Sequence, residues 1–248
     1  MPDREVAVII PARYDSEEIE HKMVADIAGK PMVQHVYERA SKATGVSMVV
    51  VAADHEAIVS AVESFGGKAV LTGKHICGTD RVKEALHLLD AKPDVVVNVQ
   101  GDEPFMEPGM IAEVISPLVR DETIPMATLC CAFASRRDHE YPFNVKVVQD
   151  LEGFALYFTR APVPYVRKEG HATPWQHIGI YAYQAWFLRE LPAGPSYLER
   201  TESLEQLRVL EHGYKIRVVE TAFPYEKIAV NTPDDLERAR AAMAADRG

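Results

Sequence analysis

The sequence is poor in several things, and each shortage narrows the reading. Its 248 residues hold three cysteines, Cys77, Cys130 and Cys131; they lack metal-ligand spacing and two are adjacent, which argues against a thiolate metal site and a disulfide framework. Positive charge is scarce: 27 Lys and Arg against 37 Asp and Glu give a net charge of −10. That excludes the basic footprint of a general nucleic-acid binder, though not a local basic pocket for a nucleotide. No apolar run approaches the roughly 20 residues that span a bilayer, and residues 1–6 have no signal-peptide character. The expectation is a soluble cytoplasmic protein with no membrane partner. Neither G-x-G-x-x-G nor a Walker pattern occurs, so the common dinucleotide and P-loop readings fall away.

What is present is a core: 47% of the residues are hydrophobic, enough for an α/β domain without staples. The centre of the pattern is V-V-V-N-V-Q-G-D-E-P at 95–104. Its valines read as a strand buried on both faces, and it runs directly into Asp102. Ligands of open α/β sheets bind beyond the carboxyl ends of the strands. Gly101 permits a sharp turn or a close approach, and Asp102 offers oxygens suited to Mg²⁺. The same residues also serve ordinary strand-to-loop exits.

The rest of the chain repeats a strand-helix alternation. Residues 6–11 predict a first strand, followed by Arg13 and Lys22, where α/β proteins place phosphate ligands; as solvated loop charges they need no ligand. Residues 27–32 read as a turn, with Pro31 in the first turn of a helix. Strands follow at 48–53 and 69–71, separated by a helix at 56–65. This is a doubly wound opening. Gly78 and Thr79 begin the next helix, either offering N–H groups to an anion or base edge or simply capping it through Thr79. After residue 105 the topology changes: a strand at 126–133, an antiparallel pair at 145–149 and 154–159, and a strand at 177–183. A helix over 198–210 would carry Glu202, Glu205 and Gln206 near one face. A strand at 216–220 and a final helix capped at 231–235 complete the chain. No linker or internal repeat is visible.

These motifs together resemble the CMP-Kdo synthetases, the 3-deoxy-manno-octulosonate cytidylyltransferases. The resemblance rests on I-I-P-A-R-Y at 9–14, G-K-P-M at 29–32, H-V-Y-E-R-A at 35–40, G-T-D-R at 78–81 and N-V-Q-G-D-E-P at 98–104. It continues through V-K-V-V at 145–148, A-L-Y-F-T-R-A at 155–161, H-I-G-I-Y at 177–181 and L-E-Q-L-R at 204–208. It implies a Rossmann-like nucleotidyltransferase fold, a mixed, mostly parallel sheet in one domain. The core would span about 1–125 and 205–248, and a smaller β-rich dimerisation lobe about 126–204 would be inserted into it. It also implies CTP and a sugar acid as substrates, Mg²⁺ as cofactor and a homodimer. Ala12, Arg13, Lys22, Gly78, Thr79 and Arg81 would meet the nucleotide, with Lys22 and Asp102 catalytic. Asp102 and Asn231 would hold the metal, and Gln100, Arg160, His177, Tyr181, Glu202 and Gln206 the sugar.

The chain departs from that family at two places that touch the same machinery. The family run S-x-R-[LF]-P-G-K-P-L is here Ser16 to Val24, with Glu18 for the arginine and Glu20-His21 for Pro-Gly. An anion close to a triphosphate is repelled by more than about 1 kcal/mol unless a cation intervenes. The family's V-D-T-P-E-D becomes Val230-Asn231-Thr232-Pro233-Asp234-Asp235, so a ligating carboxylate is replaced by a carboxamide, which keeps an oxygen but not the charge. Cys77, Ala53 and Ala182 stand for a usual serine, threonine and glycine. A different sugar acid as acceptor, or a non-catalytic nucleotide-binding homologue, are the alternatives these changes leave open.

Overall fold

The computed structural model describes residues 4–15, 18–168, 174–225 and 229–245. The chain forms two compact units, Met1–Ala112 with Tyr225–Gly248, and Glu113–Pro224.

The first unit opens with β1 (Val6–Ala12), a two-residue hairpin of β2 (Asp26–Ile27) and β3 (Lys30–Pro31), then α1 (Met32–Ala40), β4 (Met48–Ala53) and α2 (Glu56–Ser64). It continues with β5 (Ala69–Leu71), α3 (Gly78–Leu88), β6 (Val95–Asn98) and α4 (Pro108–Arg120), inside which the unit boundary falls. Strands β6, β1, β4 and β5 lie side by side in that order, every pair parallel. Consecutive residues of β1 and β6 are almost all buried, so both faces of these strands are covered, as their unbroken apolar runs require. The stretch at 27–32 is a hairpin whose turn places Ala28 and Gly29 at φ 51° and 82°. Pro31 precedes α1 at φ −60°, ψ 144°, so it sits one residue before the first helical turn.

The second unit holds β7 (Met126–Ala132), α5 (Arg136–Glu140), β8 (Lys146–Gln149), β9 (Ala155–Thr159), β10 (Trp175–Gln184) and α6 (Ala185–Glu190). It ends with α7 (Tyr197–Glu202), α8 (Leu207–Glu211) and β11 (Ile216–Glu220). β7 pairs parallel with β11 and antiparallel with β10, while β8 joins β10 to β9, both antiparallel. The long helix expected at 198–210 is broken. A capping box between Ser196 and Glu199 starts α7, and Ser203 stops it in the left-handed region at φ 53°. Burial of Arg208 against Glu199 (2.8 Å at two atoms) turns α8 back on α7, a tertiary pairing that helical spacing does not encode.

The chain then returns to the first unit with α9 (Pro233–Ala245). Its start is a reciprocal cap: Asp235 N donates to Thr232 Oγ1 (3.2 Å) and Thr232 N to Asp235 Oδ2 (2.9 Å). The cap thus falls where expected, within 231–235, with Thr232 as the capping residue.

Candidate active site

In the first unit the expected phosphate and metal residues gather at the carboxyl ends of β1 and β6. Lys22 Nζ donates to Asp102 Oδ2 at 2.8 Å and lies 3.5 Å from Asn231 Oδ1. The backbone carbonyl of Asp102 accepts from Val230 N (2.8 Å), which fixes the segment carrying Asn231 beside it. Two side-chain oxygens thus already share one cation. A hard divalent ion takes the same oxygens, so the donor set fits Mg²⁺, with the rest of its shell left to water and phosphate. Among the described residues no group of three or more His, Cys, Asp or Glu side chains could hold a metal ion by itself.

The loop leading to Lys22 is held by rings. Tyr14 stacks on His21 on one side and His55 on the other, with centroids 4.1 and 3.9 Å apart. His21 has a left-handed backbone, φ 51°, without being glycine. Arg13 and Glu18 are exposed; Ser16 and Glu17 lie outside the described residues.

Arg81 is differently placed from the nucleotide contact expected of it. The residue is 3% exposed; its guanidinium donates to Asp54 Oδ2 (2.9 Å) and reaches the Ala12 carbonyl (3.3 Å) and Thr72 Oγ1 (3.4 Å). Asp54 in turn accepts from Tyr14 N (2.8 Å). Arg81 therefore ties the ends of β1, β4 and β5 together. Thr79 is buried as the second residue of α3, and Cys77, not Thr79, occupies the cap position, its thiol on Asp80 Oδ2 at 3.2 Å. Gly101 serves a close approach, but to protein: a Cβ there would lie 2.9 Å from Met23 Sδ and from the Pro11 carbonyl.

One residue of this region was not anticipated. Asn98 is fully buried at the end of β6 and its Oδ1 accepts from Gln100 Nε2 at 3.3 Å. The signal was a single amide in an otherwise apolar run.

The second unit carries the remaining expected residues. Glu202 accepts from Thr159 Oγ1 (2.6 Å) and Arg160 N (2.9 Å), while Arg160 Nε donates to the Glu202 carbonyl (2.8 Å). Thr128 Oγ1 gives its proton to the Ile180 carbonyl (2.8 Å) and lies 2.9 Å from His177 Nε2, so the imidazole is the donor in that contact. Tyr181 O–H donates to Gln206 Oε1 at 3.2 Å, and Gln206 Nε2 is buried without a partner among the described residues. Gln206 is thus joined to Tyr181, whose ring lies 5.6 Å from that of His177, while Glu202 at the end of α7 bonds Thr159 and Arg160 instead. Lys146 was also missed. It is fully buried, and its ammonium is capped by the carbonyls of Tyr141 (2.8 Å) and Arg160 (2.9 Å). Burial, then the Arg160 charge, push it below the usual lysine range, with Glu202 opposing.

Known proteins match this arrangement over nearly the whole chain. The pattern of the cytidylyltransferase family fits residues 7–216. A 3-deoxy-manno-octulosonate cytidylyltransferase of Geotalea uraniireducens is 50% identical over 94% of this chain and 96% of its own. One of Anaeromyxobacter sp. strain K is 50% identical over 98% and 99%. A solved CMP:2-keto-3-deoxy-manno-octonic acid synthetase complexed with CTP superposes with a TM-score of 0.90 at 42% identity, covering 98% of this chain and 99% of that one. The 4-diphosphocytidyl-2C-methyl-D-erythritol synthase of Anaerococcus prevotii, at 13% identity and a TM-score of 0.65, shares the fold alone. By family pattern, by identity and by a mixed α/β fold shared along its length, the chain belongs to the 3-deoxy-manno-octulosonate cytidylyltransferases of the cytidylyltransferase family.

Proposed function

We propose that this protein transfers CMP from CTP to the anomeric hydroxyl of 3-deoxy-manno-octulosonate. The hydroxyl oxygen forms a bond to the α-phosphorus, the bond from that phosphorus to the bridging oxygen breaks, pyrophosphate leaves and the hydroxyl proton passes to solvent. The observation that carries this reading is the convergence of Lys22, Asp102 and Asn231 at the strand ends. It supplies a mobile positive charge and two oxygens where a triphosphate with its ion would lie. Lys22 and Arg13 bind phosphate oxygens, Ala12, Gly78 and Thr79 border the nucleotide, and Arg81 keeps that border in shape. Asp102 and Asn231 would hold Mg²⁺, which when bound neutralises charge on the phosphates. Gln100, His177, Tyr181, Glu202 and Gln206 bind the sugar, and Arg160 its carboxylate.

Pyrophosphate release is measured with Mg²⁺, CTP and 3-deoxy-manno-octulosonate, beside ATP, GTP, UTP and other sugar acids. Release is expected with CTP and that acid. Release only with a different acid, or none with any, overturns the reading.

The same proposal extends to assembly and place. The chain works as one nucleotidyltransferase domain, core 1–125 and 205–248 with the lobe 126–204, and a single calorimetric transition checks this. It pairs as a homodimer through the second unit, supported by the exposed Tyr141, Phe143 and Leu156 there; a monomer by light scattering at micromolar concentration would exclude it. Its setting is the cytoplasm, supported by three free thiols and by CTP as substrate.

A further inference from the structure

Asn98 is an expensive residue in its place. Val95, Val96, Val97 and Val99 around it are at most 1% exposed, and Asn98 itself is 0% exposed. Its Nδ2 has no hydrogen-bond partner among the described residues, and a buried donor without a partner costs stability that an apolar side chain of the same size would not. Packing therefore does not account for an amide here. What the amide does is accept from Gln100 Nε2 at 3.3 Å. The two residues are two apart on extended backbone, since Val99 N still bonds the Ile9 carbonyl at 3.3 Å, and alternate residues of a strand share a face. An amide side chain can present either end. With one N–H of its NH₂ given to Asn98, the Gln100 amide is turned so that its Oε1 is left open, and nothing among the described residues donates to it.

We infer that Asn98 is a positioning residue that fixes the Gln100 amide so that it offers a carbonyl, and hence selects a hydroxyl donor on the acceptor. This rests on the proposed role of Gln100 in the sugar site. Asn98 trades stability for that orientation.

The test compares Asn98→Leu, Asn98→Asp and Gln100→Ala, reading melting temperature and separate KM values for the sugar acid and CTP. Asn98→Leu removes the acceptor and the unpaired donor together. Its melting temperature is expected to equal or exceed the native value, while the sugar-acid KM rises about tenfold and the CTP KM stays unchanged. Asn98→Asp keeps the acceptor and is expected to hold the sugar-acid KM near native. Asn98→Ala gives the same KM reading should leucine fail to fold. An unchanged sugar-acid KM in the leucine or alanine variant overturns the inference, as does a parallel rise of both KM values with a lower melting temperature, which marks a structural role. If Gln100→Ala itself leaves the sugar-acid KM unchanged, the proposed site is at fault; if it raises that KM and Asn98→Leu does not, the positioning role alone falls.

Discussion

The Lys22–Asp102 site of the first unit and the side-chain network of the second hold their polar groups in opposite ways. In the first, Lys22 and Asp102 meet at 2.8 Å with side chains 12% and 23% exposed, and Asn231 stands at 3.5 Å as a second acceptor. Water reaches these groups, so each can leave one partner for another without being stranded. In the second, Lys146, Thr128, Gln206, Arg208 and Glu199 are all buried, and each bonds a carbonyl or a neighbouring side chain. There a polar group that lost its partner would find nothing in exchange. On the proposed reading, charges that change partners during the reaction stand at strand ends, while the groups that hold the second unit's shape are sealed in.

The sharpest way to break this contrast is Asp102→Ala. It should lower kcat at least about a thousandfold, roughly 4 kcal/mol of barrier, while the melting temperature moves by only a few degrees. Turnover within about tenfold of native would show that the exposed carboxylate is not the centre of the chemistry. The mirror experiment is Lys146→Met in the second unit. Leaving the Tyr141 and Arg160 carbonyls unbonded should cost about 2–3 kcal/mol of stability in urea unfolding. A loss below about 0.5 kcal/mol would mean the buried network is no more fixed than the open one.

Smaller effects sharpen the picture within the first unit. Glu18→Arg reverses a charge beside the phosphate loop, and Asn231→Asp adds an anion next to Asp102. Each should lower the apparent CTP or Mg²⁺ requirement severalfold, about 1 kcal/mol, and the double change should do more than either alone because the groups meet through the same ligand. Unchanged dependence in all three variants would remove these positions from the phosphate site. Smallest of all is Asp235→Ala, expected to cost about 0.5–1 kcal/mol. Partial burial works to raise the Asp235 carboxyl, but Arg238 and the amides of Thr232 and Asn231 outweigh it and hold it at about 2, against 3.8 ordinarily. A depressed carboxylate stabilises the fold fully above its unfolded value, so the difference between native and variant should be complete above pH 4. It should shrink as pH falls from 3.8 toward 2, and a difference independent of pH would discard the cap.

Much of this was legible in the sequence because it follows period and run length. The parallel strands β1, β4, β5 and β6, and the antiparallel pair β8–β9, stand within a residue or two of where alternation and apolar runs put them. The place of Asp102 at a strand end beside Lys22 was legible because a carboxylate directly after a buried run is unusual. The break between α7 and α8 was not, since it depends on Arg208 finding Glu199 nine residues away. The cap of the last helix fell within 231–235 as expected, but which residue of that run makes it turns on which oxygen wins a local competition. Arg81 and Lys146 were misjudged or overlooked for one reason: whether a cation faces solvent, ligand or carbonyls is decided by the packing of distant segments.

The stack of Tyr14 between His21 and His55 bears on how this chain tolerates change. Residue 21 keeps a left-handed backbone that glycine would adopt with ease, yet a glycine there would leave Tyr14 with one bare face. Replacing Tyr14 would in turn leave both imidazoles without the ring they lie on, and with them the backbone turn immediately before Lys22. The three positions are therefore coupled, and the cost of a substitution at any one of them depends on which residues stand at the other two.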